Sequence, residues 1–354
     1  MKWLCSYGLV FCLTLAVFLG NGSLADGAAG TYQAIVDQNY SGADGELIDQ
    51  VKVYKTVGKA IEEAPVAAET PYVIYIKNGR YYEKLRIEKP FITLKGEDRN
   101  KTVLTFDAAA GTLAPSGKKY GTSGSGTLIV RATNFRAENI TIENGFDYLE
   151  NAKKTQDDPT KNPGSQAVAL KLEGLSDKAV FRNIKLLGFQ DTLYVDAGRS
   201  YFSDCYIAGH VDFIFGAGRA VFNHCDIVSL LGGYVTAPST KADNKYGLLI
   251  INSRLLKGPQ VADDSVYLGR PWHPGGNPEV NSETVYINCY MDSHISYKGW
   301  DSMSGFTPEV SRFYEYGSTG PGAKASPKRP LLTSEAVREY SIEQVLGDWN
   351  PGQE

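Results

Sequence analysis

Phe181-Arg-Asn-Ile-Lys-Leu186, Phe202-Ser-Asp-Cys-Tyr-Ile207 and Phe222-Asn-His-Cys-Asp-Ile227 repeat one strand-like pattern at intervals of 21 and 20 residues. Looser echoes stand at Phe135-Arg-Ala-Glu-Asn-Ile, Ile250-Ile-Asn-Ser-Arg-Leu and Val285-Tyr-Ile-Asn-Cys-Tyr. A period of about 20 residues without helical patterning marks a coil of parallel strands, each turn stacked on the last. A β-sandwich also has short, evenly spaced strands. Its chain reverses direction, however, and gives no reason for one pattern to recur in one phase. The reading is therefore an all-β parallel β-helix.

Outward from this core the pattern continues. Strands are expected at Tyr72–Ile76, Phe91–Leu94, Thr127–Val130 and Val168–Leu172, separated by Gly, Asn and Asp turns. Short helices are expected at Thr56–Ala64, with Thr56 as N-cap, and after Ser341, where Ser341 to Gln344 has capping-box spacing. Polar insertions at 108–126, 147–165, 232–246 and 273–283 lengthen the intervals and are expected to be loops around a binding face.

The composition is that of a folded chain: 354 residues, 42% hydrophobic, 21% charged. It excludes disorder and a multi-span membrane protein. With 36 basic against 40 acidic residues, no footprint for nucleic acid is present. Lys2, an apolar run from Leu9 to Leu19 and the small-x-small triplet Ser23-Leu24-Ala25 read as a secretory signal, residues 1–25. The run is too short for a bilayer span, which needs about 20 residues. Residues 26–354 are then one exported, extracellular domain without a membrane anchor. Its sequons, at Asn39, Asn100 and Asn139, matter only in a host that glycosylates exported proteins.

Export leaves three cysteines. Cys205 and Cys225 occupy matched positions of consecutive repeats, where parallel strands lie about 4.8 Å apart. A disulfide between adjacent coils is sterically reasonable and is expected there, with Cys289 a buried small hydrophobe.

The same phase aligns two aspartates. Asp191 follows Phe181 by ten residues, and Asp212 follows Phe202 by ten. Carboxylates some 5 Å apart repel by about 3 kcal/mol at an effective dielectric of 20. That separates their pKa values by roughly two units. The pair then supplies an acid and a base, or an acid and a nucleophile. Two turn aspartates satisfied by backbone N–H groups is the competing structural reading.

At these residues the chain resembles the pectin methylesterases (pectinesterases). Gly79-Arg-Tyr-Tyr-Glu83, Gln166-Ala-Val-Ala-Leu170, Gln190-Asp-Thr-Leu193, Asp212-Phe-Ile-Phe-Gly216 and Leu268-Gly-Arg-Pro-Trp272 occur in the family's order. The resemblance implies a right-handed parallel β-helix and a secreted monomer acting on methyl-esterified pectin without metal or cofactor. It implies Asp212 as nucleophile and Asp191 as general acid, later base. Gln190, helped by Gln166, stabilises the oxyanion, and Arg270 orients Asp212 and supports its charge. Tyr194, Phe215 and Trp272 flank these motifs and suit the apolar faces of sugar rings. The resemblance favours Phe215 and Trp272 in the groove, with Thr122 of the Gly121–Gly126 loop as a polar contact. That loop lacks a P-loop lysine and a following helical pattern, and so is no evidence for phosphate binding. The four histidines show no short paired spacing for a metal; His210, two residues before Asp212, is read as sharing its face.

Two rivals stay open at this point. A β-helical glycoside hydrolase of the pectin backbone would also use paired carboxylates. A non-catalytic carbohydrate-binding solenoid would bind without turnover.

Overall fold

Three parallel strands per coil recur along the computed structural model, which describes residues 32–352. The expected signal segment lies outside the described residues. One repeat runs Ala179–Arg182, Lys185–Leu187, Leu193–Val195. The next runs Arg199–Ser203, Tyr206–Gly209, Ile214–Gly216, and the third Arg219–Asn223, Asp226–Ser229, Gly233–Pro238. Corresponding strands pair in register and build sheets of twelve, eight and seven strands, parallel except for the pair Glu46–Ile48 and Val51–Tyr54. This is a right-handed parallel β-helix.

The repeat works because identical residues stack. Phe181 pairs with Phe202, and Phe202 with Phe222. Their rings are stacked at centroid distances of 4.5 and 4.8 Å inside the coil, all fully buried. In the looser echoes the aromatic slips. Ala137, not Phe135, is the register mate of Phe181, and Tyr286, not Val285, follows Ile250. What keeps its place is the turn residue. Asn139, Asn183, Asp204, His224, Asn252 and Asn288 all have φ between 50° and 57°. Asn and Asp tolerate this left-handed conformation better than other side chains. Asn183 Nδ2 also donates to Asn139 Oδ1 at 2.7 Å, so that sequon asparagine is engaged in the ladder.

Both expected helices form. Thr56 Oγ1 accepts from Lys59 N at the start of Val57–Glu63, and Ser341 Oγ from Gln344 N before Ile342–Leu346. Two expectations are corrected. The stretch 232–246 is not wholly a loop, because Gly233–Pro238 is a strand of the seven-stranded sheet. Cys205 and Cys225 form no disulfide: both are buried free thiols, as is Cys289. The two cysteines stand side by side at the starts of in-register parallel strands, whose side chains project the same way rather than toward one another. Each thiol instead donates to main-chain carbonyls, Cys205 to Ser203 O at 3.2 Å and Cys225 to Phe202 O at 3.5 Å.

Candidate active site

The turn joining the eight-stranded to the seven-stranded sheet carries the candidate residues. Asp191 sits between Lys185–Leu187 and Leu193–Val195; Asp212 holds the same place one coil on. Both have positive φ, 65° and 51°, which turns their carboxyls out of the strand direction. Local packing fixes the turn. Thr192 Oγ1 donates to Ala208 O at 2.9 Å, Asp191 N donates to Val211 O at 3.1 Å, and Phe213 is fully buried beside Asp212. Gly209 is required here, since a Cβ would lie 2.2 Å from that of Phe213.

Asp212 is 7% exposed and Asp191 8%. Arg270, just beyond strand Val266–Gly269, binds Asp212 through two bonds, Nε to Oδ1 at 2.9 Å and Nη2 to Oδ2 at 2.7 Å. This is the fork geometry that holds a carboxylate ionised. Burial leaves the Asp212 carboxyl above its usual range, and the bonds and charge of Arg270 oppose that rise. Among the described residues Asp191 has no such partner. Burial and then the charge of Asp212 hold it well above the ordinary carboxyl range, with only the more distant opposition of Arg270. Of the two carboxyls, Asp191 is therefore the one whose surroundings favour the protonated form.

Gln166 and Gln190 are half-buried on the coils at and before Asp191. Their main-chain carbonyls accept from Ala110 N and Ala167 N, at 2.7 and 3.1 Å. No hydrogen bond among the described residues uses either side-chain amide, which leaves N–H donors for an incoming oxygen.

The outer face of the seven-stranded sheet forms an aromatic floor next to the aspartates. Tyr194 and Phe215 are stacked at 4.2 Å, and Trp272 meets them edge-on at 6.0 and 5.5 Å. Thr122 lies in the short helix Gly121–Gly124, and its carbonyl accepts from Ser125. That loop reaches the floor through Lys171, which donates to Ser123 Oγ, pairs with Glu173 at 2.6 Å and lies over the Tyr194 ring at 4.6 Å. Asp212 and Arg270 thus meet at one corner with Asp191 one coil before, Gln190 directly precedes Asp191, and Tyr194, Phe215 and Trp272 share the adjoining sheet face; Lys171 bonds Ser123, the residue after Thr122.

Sequence reasoning missed Lys171 and Tyr234. Lys171 stands in an otherwise apolar strand and looked like part of its pattern. Tyr234 fell inside a stretch read as a loop. His210 is buried, with no hydrogen bond to either ring nitrogen among the described residues, and packs edge-on against Tyr148 at 4.3 Å. Burial lowers its pKa to about 4, so the ring is neutral near pH 7.

The site thus joins an arginine-held carboxylate, a second buried carboxyl and an aromatic floor on the face of a β-helix. The Pectinesterase family model matches residues 47–344, and this chain belongs to that family. It is an enzyme of the pectinesterase class. Pectinesterase A of Dickeya chrysanthemi is 46% identical over 351 residues, covering 92% of this chain and 93% of that one. A solved pectin methylesterase in complex with a hexasaccharide superposes with a TM-score of 0.85 at 45% identity, over 91% of this chain and 99% of that one. The enzyme from Yersinia enterocolitica gives 0.81 at 46% identity, over 84% and 99%.

Proposed function

We propose that this enzyme removes methyl groups from methyl-esterified homogalacturonan, with Asp212 as nucleophile and Asp191 as general acid and then base. The observation that carries the assignment of roles is the forked Arg270–Asp212 pair beside a carboxyl that no cation bonds among the described residues. Asp212 Oδ attacks the ester carbonyl carbon, and the carbonyl π pair moves onto oxygen. The Gln190 and Gln166 amides donate to that oxyanion. On collapse the C–OCH3 bond breaks, and Asp191 gives its proton to the departing methoxide, releasing methanol. The acyl group is left on Asp212 as an anhydride. Asp191, now a carboxylate, takes a proton from water as its oxygen attacks the acyl carbon. Collapse restores the Asp212 carboxylate and the protonated Asp191, and leaves a galacturonic acid carboxyl that then ionises to solvent. Tyr194, Phe215 and Trp272 bear on the sugar faces, and Thr122 supplies a polar contact.

The reaction takes place outside the producing cell, on a monomer exported through residues 1–25. N-terminal sequencing of the secreted protein should begin at Asp26.

Counting methanol and new reducing ends together on highly methylated pectin tests the reading. Methanol without reducing ends, reduced at least 1,000-fold in Asp212→Asn with the fold intact by circular dichroism, is the expected result. Reducing ends without methanol would shift the assignment to backbone hydrolysis. Binding without either product would leave a carbohydrate-binding solenoid.

A further inference from the structure

Arg270 holds Asp212 with one edge of its guanidinium, and something must hold Arg270. Its guanidinium carbon lies 3.8 Å from the centroid of the Tyr234 ring. Tyr234 belongs to the coil after Asp212, its amide donating to His210 O at 2.9 Å. Two contacts fix the ring. Its hydroxyl donates to Asp301 Oδ2 at 3.1 Å, and its face is stacked on Tyr267, its register mate, at 5.4 Å and 18°. Asp301 is fixed in turn: its amide donates to Gly269 O at 3.1 Å, one residue before Arg270, and its Oδ1 accepts from Ser302 N.

From this geometry we infer that Tyr234 is a positioning residue for the esterase reaction, acting through Arg270, with Asp301 as its anchor. The inference rests on the reading of Asp212 as nucleophile. A guanidinium has five N–H donors, and Asp212 engages two. A flat ring beneath the plane limits its tilt and offers the negative face of a quadrupole. The donors therefore stay aimed at both carboxylate oxygens without a second anion competing for them. The hydroxyl gives Asp301 a neutral donor, so that its charge is satisfied away from Arg270. No ligand contact is needed for this role. It acts on the orientation and charge of Asp212, and so belongs to kcat more than to binding.

The test compares Tyr234→Leu, Tyr234→Phe and Asp301→Asn, with Asp212→Asn and Arg270→Ala as references, in methanol release against pH. Tyr234→Leu removes the ring, and should lower kcat on the order of tenfold with KM changed less than twofold. It should also move the acidic limb of the kcat profile to higher pH, because a poorly held Arg270 favours the protonated form of Asp212. The charged groups facing Asp212 are Asp191 and Arg270, and both are present in all three Tyr234 and Asp301 variants. Tyr234→Phe keeps the ring and should recover most of kcat, with an intermediate limb shared by Asp301→Asn. A Tyr234→Leu enzyme with unshifted limb and unchanged kcat overturns the inference, as does a loss confined to KM. Should Tyr234→Leu fail to fold, an unshifted limb in both Tyr234→Phe and Asp301→Asn overturns it equally. If Asp212→Asn retains turnover, the nucleophile assignment itself fails; if it is inactive while the Tyr234 series behaves as wild type, only the positioning role fails.

Discussion

Asp191 and Asp212 carry the same side chain one coil apart, yet their surroundings separate them. Both are buried and both have a left-handed backbone. The difference is Arg270, which meets one and not the other. This has a consequence for stability. Because the native state lifts the Asp191 pKa well above its usual value, the folded protein binds a proton that the unfolded chain gives up above about pH 3.9. Stability is full below that pH and falls as pH rises toward the native pKa. Asp191→Asn carries no such penalty. Thermal melts should therefore show the variant more stable than wild type at pH 7, and the two converging near pH 3, although methanol release is lost. A variant less stable at pH 7 would mean that Asp191 is ionised in the native state.

At the scale of elements, stability comes from rows of like residues crossing successive coils. Phe202 is the middle ring of a fully buried stack between Phe181 and Phe222. Phe202→Ala would open a cavity that the neighbouring strands, tied in register, cannot close. It should cost about 3–5 kcal/mol, read as a lower urea midpoint at unchanged m. The same stacking explains the free thiols. Cys205 and Cys225 follow one another in the row as the phenylalanines do, as small buried groups pointing inward together. Burial and the neighbouring Cys205 push the Cys225 thiol up, which makes it a poor nucleophile. Matched phase brings two cysteines close, but it also makes their side chains parallel.

A coil has two open ends, and the whole molecule closes both. At the first, helix Val57–Glu63 buries Val57, Ala60 and Ile61 in the main core. At the other, Glu315 continues the interior row after Tyr286, placing a carboxylate where the apolar stack stops. Arg329 from the C-terminal segment meets it with two bonds, at 2.7 and 2.6 Å, both groups almost fully buried. Arg329 also donates to Gly322 O. Farther on, Val345, Leu346 and Trp349 cover the outer face of the twelve-stranded sheet, and Arg199 and Arg219 bond the carbonyls of Leu346 and Val345. Arg329→Met should destabilise by about 3–5 kcal/mol by stranding Glu315, and adding Glu315→Gln should restore much of that in denaturant melts. If the double variant is no better than the single one, Arg329 contributes by packing, not by charge.

Repetition made the fold legible in the sequence. A phase of 20–21 residues carries the parallel coil, the stacked Phe row and the alignment of Asp191 with Asp212, because neighbouring strands at one spacing turn sequence period into spatial contact. Cap residues Thr56 and Ser341 were legible for the same local reason: the side chain bonds an amide three residues away. Tertiary structure decided whatever depends on residues far apart or on direction. The Arg270–Asp212 fork spans 58 residues, Tyr234 to Asp301 spans 67, and Lys171 reaches a loop 48 residues earlier. No periodicity encodes those separations, since each crosses a coil whose length an insertion has changed. The thiols show the limit from the other side. Sequence phase predicts that two side chains are neighbours, but only the packed backbone decides whether their bonds point toward one another or run side by side.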